Sequence, residues 1–343
     1  MLRLDHSRLL PKIHMQQLRD SLESRQISIY FVTVVVAAII AIMASPATTV
    51  LEVAVNPALA FMLFVTFLQV PIAELKRSFG SVRFLGALLV TNFVFIPLLA
   101  ALLLIFGPTD PLVRLGVLLV LLTPCIDYVV TFSHLGRADA RALLAATPVL
   151  LIVQMLLLPA YLTVFLGESA SRLVQMGPFL HAFVWLIAVP LLLAALVQLW
   201  ASRNAAGAKT AAILGVLPVP ATALALFVVI AAVVPQLGSA FKVALSVAPL
   251  YLAFAVLAPM VGWFVARAFR LETCLARSVA FSAGTRNSLV VLPLALSVPG
   301  AIPILPAVIV TQTLIELIAE LVYVRVMPRL GARQAKATAG PTA

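Results

Sequence analysis

Long apolar runs separated by short charged clusters dominate this chain. A membrane-spanning helix needs roughly 20 apolar residues. Runs of that kind fall at about 28–45, 50–71, 84–106, 113–135, 140–166, 178–200, 211–234, 243–266, 274–298 and 301–325. The pattern predicts an all-α membrane protein of ten transmembrane helices, preceded by a segment 1–27 and followed by a tail 326–343. Two runs are interrupted. The fourth carries Thr123-Pro124-Cys125-Ile126-Asp127-Tyr128, and the ninth carries Ser282-Ala283-Gly284-Thr285-Arg286-Asn287-Ser288. Each joins a helix breaker to an ionisable side chain at a depth where hydrocarbon is expected, a costly arrangement unless the group lines a polar cavity. Paired interrupted helices point to a transporter's binding site.

Composition agrees with the pattern. With 63% apolar residues, 10% charged residues and a mean hydropathy of +1.16, an ordinary soluble domain is excluded. Of the 23 basic residues, placing the N-terminus inside puts nineteen on the cytoplasmic side. Only Arg114, Arg172 and Lys242 then face the other side, and Arg286 lies within a span. Both termini are therefore expected in the cytoplasm of a multi-pass protein of the cell membrane. The pI near 10.5 reflects this topology and the lipid bilayer's anionic headgroups, so no nucleic acid partner is expected. Segment 1–27 lacks the apolar core of a secretory signal and reads as a cytoplasmic or interfacial helix.

Ten spans divide into two sets of five, and an odd number per set makes the second half enter the membrane in the opposite sense. Each interruption falls in the fourth span of its half, so 28–166 and 178–325 read as inverted repeats whose broken helices cross. Proline alone does not mark function, because Pro97, Pro148, Pro159, Pro190, Pro218, Pro220, Pro259 and Pro293 also lie in spans. Proline or glycine together with a charge and clustered polar side chains is the stronger sign.

At about 1.5 Å per residue, Asp127, Arg286 and Glu316 share a level about 13 Å deep. An arginine cannot be neutralised by losing its proton. Arg286 must therefore meet a carboxylate, a substrate anion or water, and Asp127 and Glu316 are the carboxylates at its depth. Gln312, Glu316 and Glu320 recur every fourth residue and share one face of the tenth span. Glu316 reads either as a group that exchanges a proton or as a fixed partner of Arg286. Glu320 either continues the polar stripe or reaches the cytoplasmic interface. Cys125, following Pro124, is a soft ligand suited to a thiophilic substrate or a small packing residue. Thr123, Pro124, Ser282, Gly284, Thr285 and Gln312 are candidate cavity liners, with Asn287 and Ser288 beside the substrate. Asn92, Thr147, Gln154, Thr311 and Thr313 serve as liners or as interhelical hydrogen bonds. His134 is a candidate proton shuttle or an inert interfacial residue. Cys and His spacing supports neither a metal site nor a cofactor, and no nucleophile has a base beside it, so an enzyme is not expected. Cys125 and Cys274 lie at different depths, which argues against a disulfide.

Leu122-Thr123-Pro124-Cys125, followed by Ser133-His134-Leu135-Gly136-Arg137-Ala138-Asp139, resembles the fourth span of the bile acid:sodium symporter superfamily, especially its arsenite-efflux branch. Phe281-Ser282-Ala283-Gly284-Thr285-Arg286-Asn287-Ser288 resembles that superfamily's ninth span. The resemblance implies ten helices in two inverted five-helix repeats. It also implies a core domain around the crossed fourth and ninth spans and a panel domain from spans one, two, six and seven. Cys125 holds the place of the exporters' cysteine. Their ninth-span glutamate has no counterpart in Asn287-Ser288-Leu289-Val290. Where the sodium-coupled branch has a glutamate and a glutamine, this chain has Ser282 and Arg286. A guanidinium at a sodium ligand's place argues for proton coupling, or none, with Asp127 and Glu316 as proton carriers. The resemblance implies secondary transport of a small inorganic or organic anion: arsenite efflux by alternating access, or carriage of organic anions of the bile acid type.

Overall fold

A computed structural model of the chain describes residues 6–43, 51–69, 81–126, 128–167, 177, 181 and 183–331. Side chains are described from residue 16 onward, except at 186, 233, 236–239 and 289. Asp127 lies outside the described residues, as do Arg172 and the tail 332–343.

The described residues are helical, with one isolated bridge and no strand. In chain order the helices are α1 (His6–Met43), α2 (Glu52–Gln69), α3 (Val82–Val90), α4 (Ile96–Ile105), α5 (Pro111–Leu121), α6 (Tyr128–Leu135) and α7 (Ala140–Leu166). There follow α8 (Val189–Arg203), α9 (Ala205–Leu214), α10 (Pro218–Val233), α11 (Leu237–Ala268), α12 (Thr273–Gly284), α13 (Ser288–Leu296) and α14 (Ile304–Val326). Among the described residues six helices are long and apolar enough to cross a membrane, or seven if the bent pair α9 and α10 is one span. The sequence predicts ten. The difference lies mainly where the fourth and ninth runs divide into α5 with α6 and α12 with α13, each piece too short to span alone. Segment 1–27 forms no separate helix from residue 6 onward. It continues into the first apolar run because no proline or glycine interrupts the chain between Pro11 and Met43.

The chain separates into two compact units, residues 1–69 with 177–238 and residues 70–176 with 239–343. In the first, α2 packs against α8 and α10, and α10 also packs against α1. Lipid is as apolar as leucine, so helices associate through close packing and polar contacts. Ala37 and Ala41 of α1 and Ala225 and Ala231 of α10 are accordingly buried, while Val35, Ile39 and Ile42 of α1 remain exposed. Gln198 on α8 donates to Phe67 O and Leu68 O, serving carbonyls that the end of α2 leaves without helical donors.

In the second unit α14 packs against α5 and α13, while α12 packs against α3, α6 and α7. Prolines free carbonyls four residues back, and tyrosines from other helices use two of them. Tyr161 on α7 donates to Phe93 O, opposite Pro97, at 2.5 Å. Tyr323 on α14 donates to Ala255 O, opposite Pro259. Gly262 lets α11 approach α12 closely, since a Cβ there would lie 2.8 Å from Val279 O and 2.9 Å from Ala280 Cα. Both obstacles are backbone and cannot rotate away. Gly262→Ala is expected to lower stability by about 1–3 kcal/mol, read as a lower unfolding temperature of the purified protein.

Candidate functional site

The two interruptions meet inside the second unit. Cys125 N donates to Thr285 O at 3.1 Å and Asn287 N donates to Thr123 O at 2.8 Å, an antiparallel bridge between Pro124 and Arg286. Buried backbone groups require partners. Past the ends of α5 and α12, each segment of the crossing supplies hydrogen bonds the other lacks. Thr123 Oγ1 also bonds Leu119 O and Val120 O, the latter being the carbonyl that Pro124 cannot serve.

Arg286 is fully buried beside this bridge. Its guanidinium donates to Asn92 Oδ1 at 2.8 Å, Ala283 O at 2.9 Å, Leu121 O at 3.3 Å and Ser282 O. The Phe254 ring lies 5.7 Å away, close enough for a cation–π contact. Among the described residues no carboxylate reaches the guanidinium, which differs from the pairing with Glu316 raised by their shared depth. Neutral oxygens from both breaks surround the cation as they would a metal ion. Asn92 is held for this task by donating to Leu88 O and Ser282 Oγ, both at 3.0 Å. It sits in a π-helical turn, Thr91–Phe95, between α3 and α4, the kind of local widening that recurs at functional sites.

Glu316 takes the backbone N–H of Arg286 at 2.7 Å, Tyr128 Oη at 2.5 Å and Gln312 Nε2 at 2.5 Å. Ser288 Oγ donates to Gln312 Oε1, so Ser288, Gln312, Glu316 and the bridge form one network. Thr285 Oγ1 contacts Glu320 Oε1 at 2.5 Å, and Glu320 is fully buried. It therefore does not reach an aqueous interface from α14. A cavity of about 10 Å³, room for one water molecule, is lined by Tyr251, Phe254, Ala255, Gly284, Gln312, Ile315 and Glu316. Gly284 and Gln312 are among its lining residues. Thr123, Pro124 and Thr285 build the crossing, and Ser282 accepts from Asn92 and Arg286. Cys125 is buried at the bridge and Asn287 is nearly so. Asp127, expected beside them, falls outside the described residues.

Residues 56–243, more than half of the 343-residue chain, match the Sodium Bile acid symporter family. The chain belongs to that family. No curated protein matches it. Membership of the symporter family makes the chain a multi-pass membrane transporter rather than an ordinary globular protein, as the apolar helices require. The matched stretch includes Asn92 and the Pro124 break and ends before Ser282–Ser288.

In this symporter-family chain, sequence reasoning passes over the roles of Tyr128, Tyr251, Phe254 and Tyr323. Tyr128 is signalled by its place at the break. The other three stand in apolar runs with no motif, and only the packing of α11 and α14 brings them to the site. Thr147, Thr311 and Thr313 bond carbonyls of their own helices instead of neighbouring ones. A threonine hydroxyl reaches the carbonyl three or four residues back without any partner helix. His134 is exposed and stands apart from the network.

Proposed function

We propose that this family member is a secondary transporter that exports trivalent arsenic by alternating access and is not coupled to sodium. The observation that carries the reading is the guanidinium of Arg286 set among Asn92 Oδ1 and three backbone carbonyls. A positive charge built into those oxygens takes the role a bound cation would otherwise play, so transport needs no sodium there. The coupling reading that accompanies it is proton exchange, for which the sequence offers Asp127 and Glu316 as carriers. Cys125 supports a thiophilic substrate. Its thiol can replace one hydroxyl of arsenous acid, forming a sulfur–arsenic bond and releasing water. Asn287, Ser288 and Arg286 complete the substrate surroundings in this reading.

The same proposal extends to architecture. The ten predicted spans form inverted repeats 28–166 and 178–325, a reading supported by the antiparallel bridge between the two breaks. Residues 70–176 with 239–343 act as the core, and 1–69 with 177–238 as the panel. Both termini face the cytoplasm at the cell membrane, as the basic bias favours.

Cells making the protein are expected to tolerate arsenite better than control cells, and everted vesicles to accumulate it equally with sodium or choline salts. Cys125→Ser is expected to remove the gain at unchanged protein level. Tolerance equal to the control sinks the reading. The family's description favours a second one, an organic anion of the bile acid type. Against it, both terminal guanidinium nitrogens already have protein acceptors, and among the described residues only Nε is left without one. Sodium-stimulated uptake of a labelled bile acid into whole cells is the result that would prefer it.

A further inference from the structure

Hydrogen-bond geometry around Thr285 bears on where a proton resides. Thr285 Oγ1 lies 2.7 Å from Phe281 O and 2.5 Å from Glu320 Oε1. A threonine hydroxyl has one proton and accepts through its lone pairs. Both oxygens facing it are pure acceptors if Glu320 is ionised, so its one proton would have to be split between two short contacts. A neutral Glu320 removes the conflict, because its carboxyl O–H donates to Thr285 Oγ1 and the threonine donates to Phe281 O. Burial points the same way. Glu320 is fully buried, and its Oε2 has no hydrogen-bond partner among the described residues. An ionised carboxylate so placed leaves charge on an atom with nothing to solvate it.

Among the described residues the surrounding charges do not supply a counter-ion. Glu316 lies one turn away on α14, and its two oxygens already take three donors. Tyr323, on the same helix, commits its hydroxyl to Ala255 O, and Tyr128 of α6 directs its own mainly to Glu316, at 2.5 Å, with Arg286 O farther away at 3.2 Å. From the break following α12, Arg286 directs its guanidinium to Asn92, Leu121, Ser282 and Ala283. Arg277 of α12 bonds carbonyls of Arg137, Pro328 and Leu330. Arg114 of α5 donates to Leu104 O, and His134 of α6 is exposed. Tyr251 of α11 has no hydrogen-bond partner among the described residues and is uncharged as a phenol. Among the described residues two buried carboxyls thus share the surroundings of one buried guanidinium. Glu316, with three donors, is suited to hold the negative charge.

We infer that Glu320 is a proton-binding site, occupied in this conformation through a hydrogen bond to Thr285, and that this proton is the one exchanged during transport. The second half of the statement rests on the proposed transporter function. The first half does not. Thr285 belongs to the ninth-span break, so any change in the crossing alters the acceptor of the Glu320 proton. Movement of the break and release of the proton are thereby linked. Glu316 becomes the fixed anion of the site and not its carrier.

Infrared difference spectra of the purified protein in liposomes, taken in H2O and D2O, read the proton directly. The wild type is expected to show a protonated-carboxyl C=O band that shifts down in D2O, and Glu320→Gln is expected to lack it. Thr285→Val should keep the band but move it to higher frequency, since the carboxyl loses its acceptor. Glu320→Gln is also expected to abolish proton movement driven by substrate in proteoliposomes. A band that persists in Glu320→Gln, or its absence from the wild type, overturns the proton site whatever the substrate proves to be. Loss of the band with undiminished proton movement overturns the coupling role. Failure of the wild type to move arsenite or organic anions counts against the proposed function and leaves the spectroscopic result standing.

Discussion

Arg286→Ala is expected to be among the most damaging single substitutions in the chain, lowering stability by about 3–5 kcal/mol and abolishing transport. Removing the guanidinium strips donors from Asn92 Oδ1 and from the carbonyls of Leu121, Ser282 and Ala283. It also leaves Glu316 without a neighbouring positive charge. Arg286→Lys should recover only part of the loss, because one ammonium cannot span acceptors arranged for a planar fork. The built-in-cation reading adds a discriminating result. Sodium should raise the unfolding temperature of Arg286→Ala more than choline does, and should leave the wild type unaffected. Thermal unfolding in the two salts measures both effects, and equal responses of wild type and variant count against the reading.

Glu316→Ala is expected to cost a similar amount, about 3–5 kcal/mol, through the opposite defect. Three donors lose their acceptor together: the Arg286 N–H, the Tyr128 hydroxyl and the Gln312 amide. The first belongs to the residue that pairs with Pro124 in the bridge, so the loss reaches the crossing itself. Glu316→Gln keeps the volume and one good acceptor and should be the milder variant. Even so, it leaves the positive charge of Arg286 unbalanced by a fixed anion. Unfolding midpoints for the two substitutions give the comparison. If Glu316→Ala is as stable as wild type, the network does not hold the two breaks together.

Much of the site is legible in the residues themselves. Pro124 and the Gly284–Arg286 stretch mark the breaks because helix interruption in an apolar run has few local causes. The periodic Gln312, Glu316 and Glu320 mark one face of α14 because helical spacing is a local property. The partners are another matter. Depth alone brings Arg286 level with Glu316, yet the guanidinium turns to neutral oxygens while Glu316 accepts a backbone N–H. A shared level fixes one coordinate and says nothing of rotation about the helix axis. Asn92 illustrates the same limit, since its role depends on a π-helical turn around it and on Ser282 in a distant part of the chain.

Residue order alone establishes a helical membrane protein with breaks in two of its apolar runs and a single basic residue, Arg286, far from the ends of a predicted span. Those properties follow from hydrophobicity, helix propensity and chain order, which are written residue by residue. Only the tertiary structure decides that the breaks hydrogen-bond to one another, that Arg286 is caged by oxygens, and that Thr285 faces Glu320. These contacts join residues 30 to nearly 200 positions apart, and their directions depend on how helices rotate and tilt as they pack. That rotation is set by the joint fit of small residues such as Gly262 and of tyrosines serving proline-freed carbonyls, which no local pattern encodes.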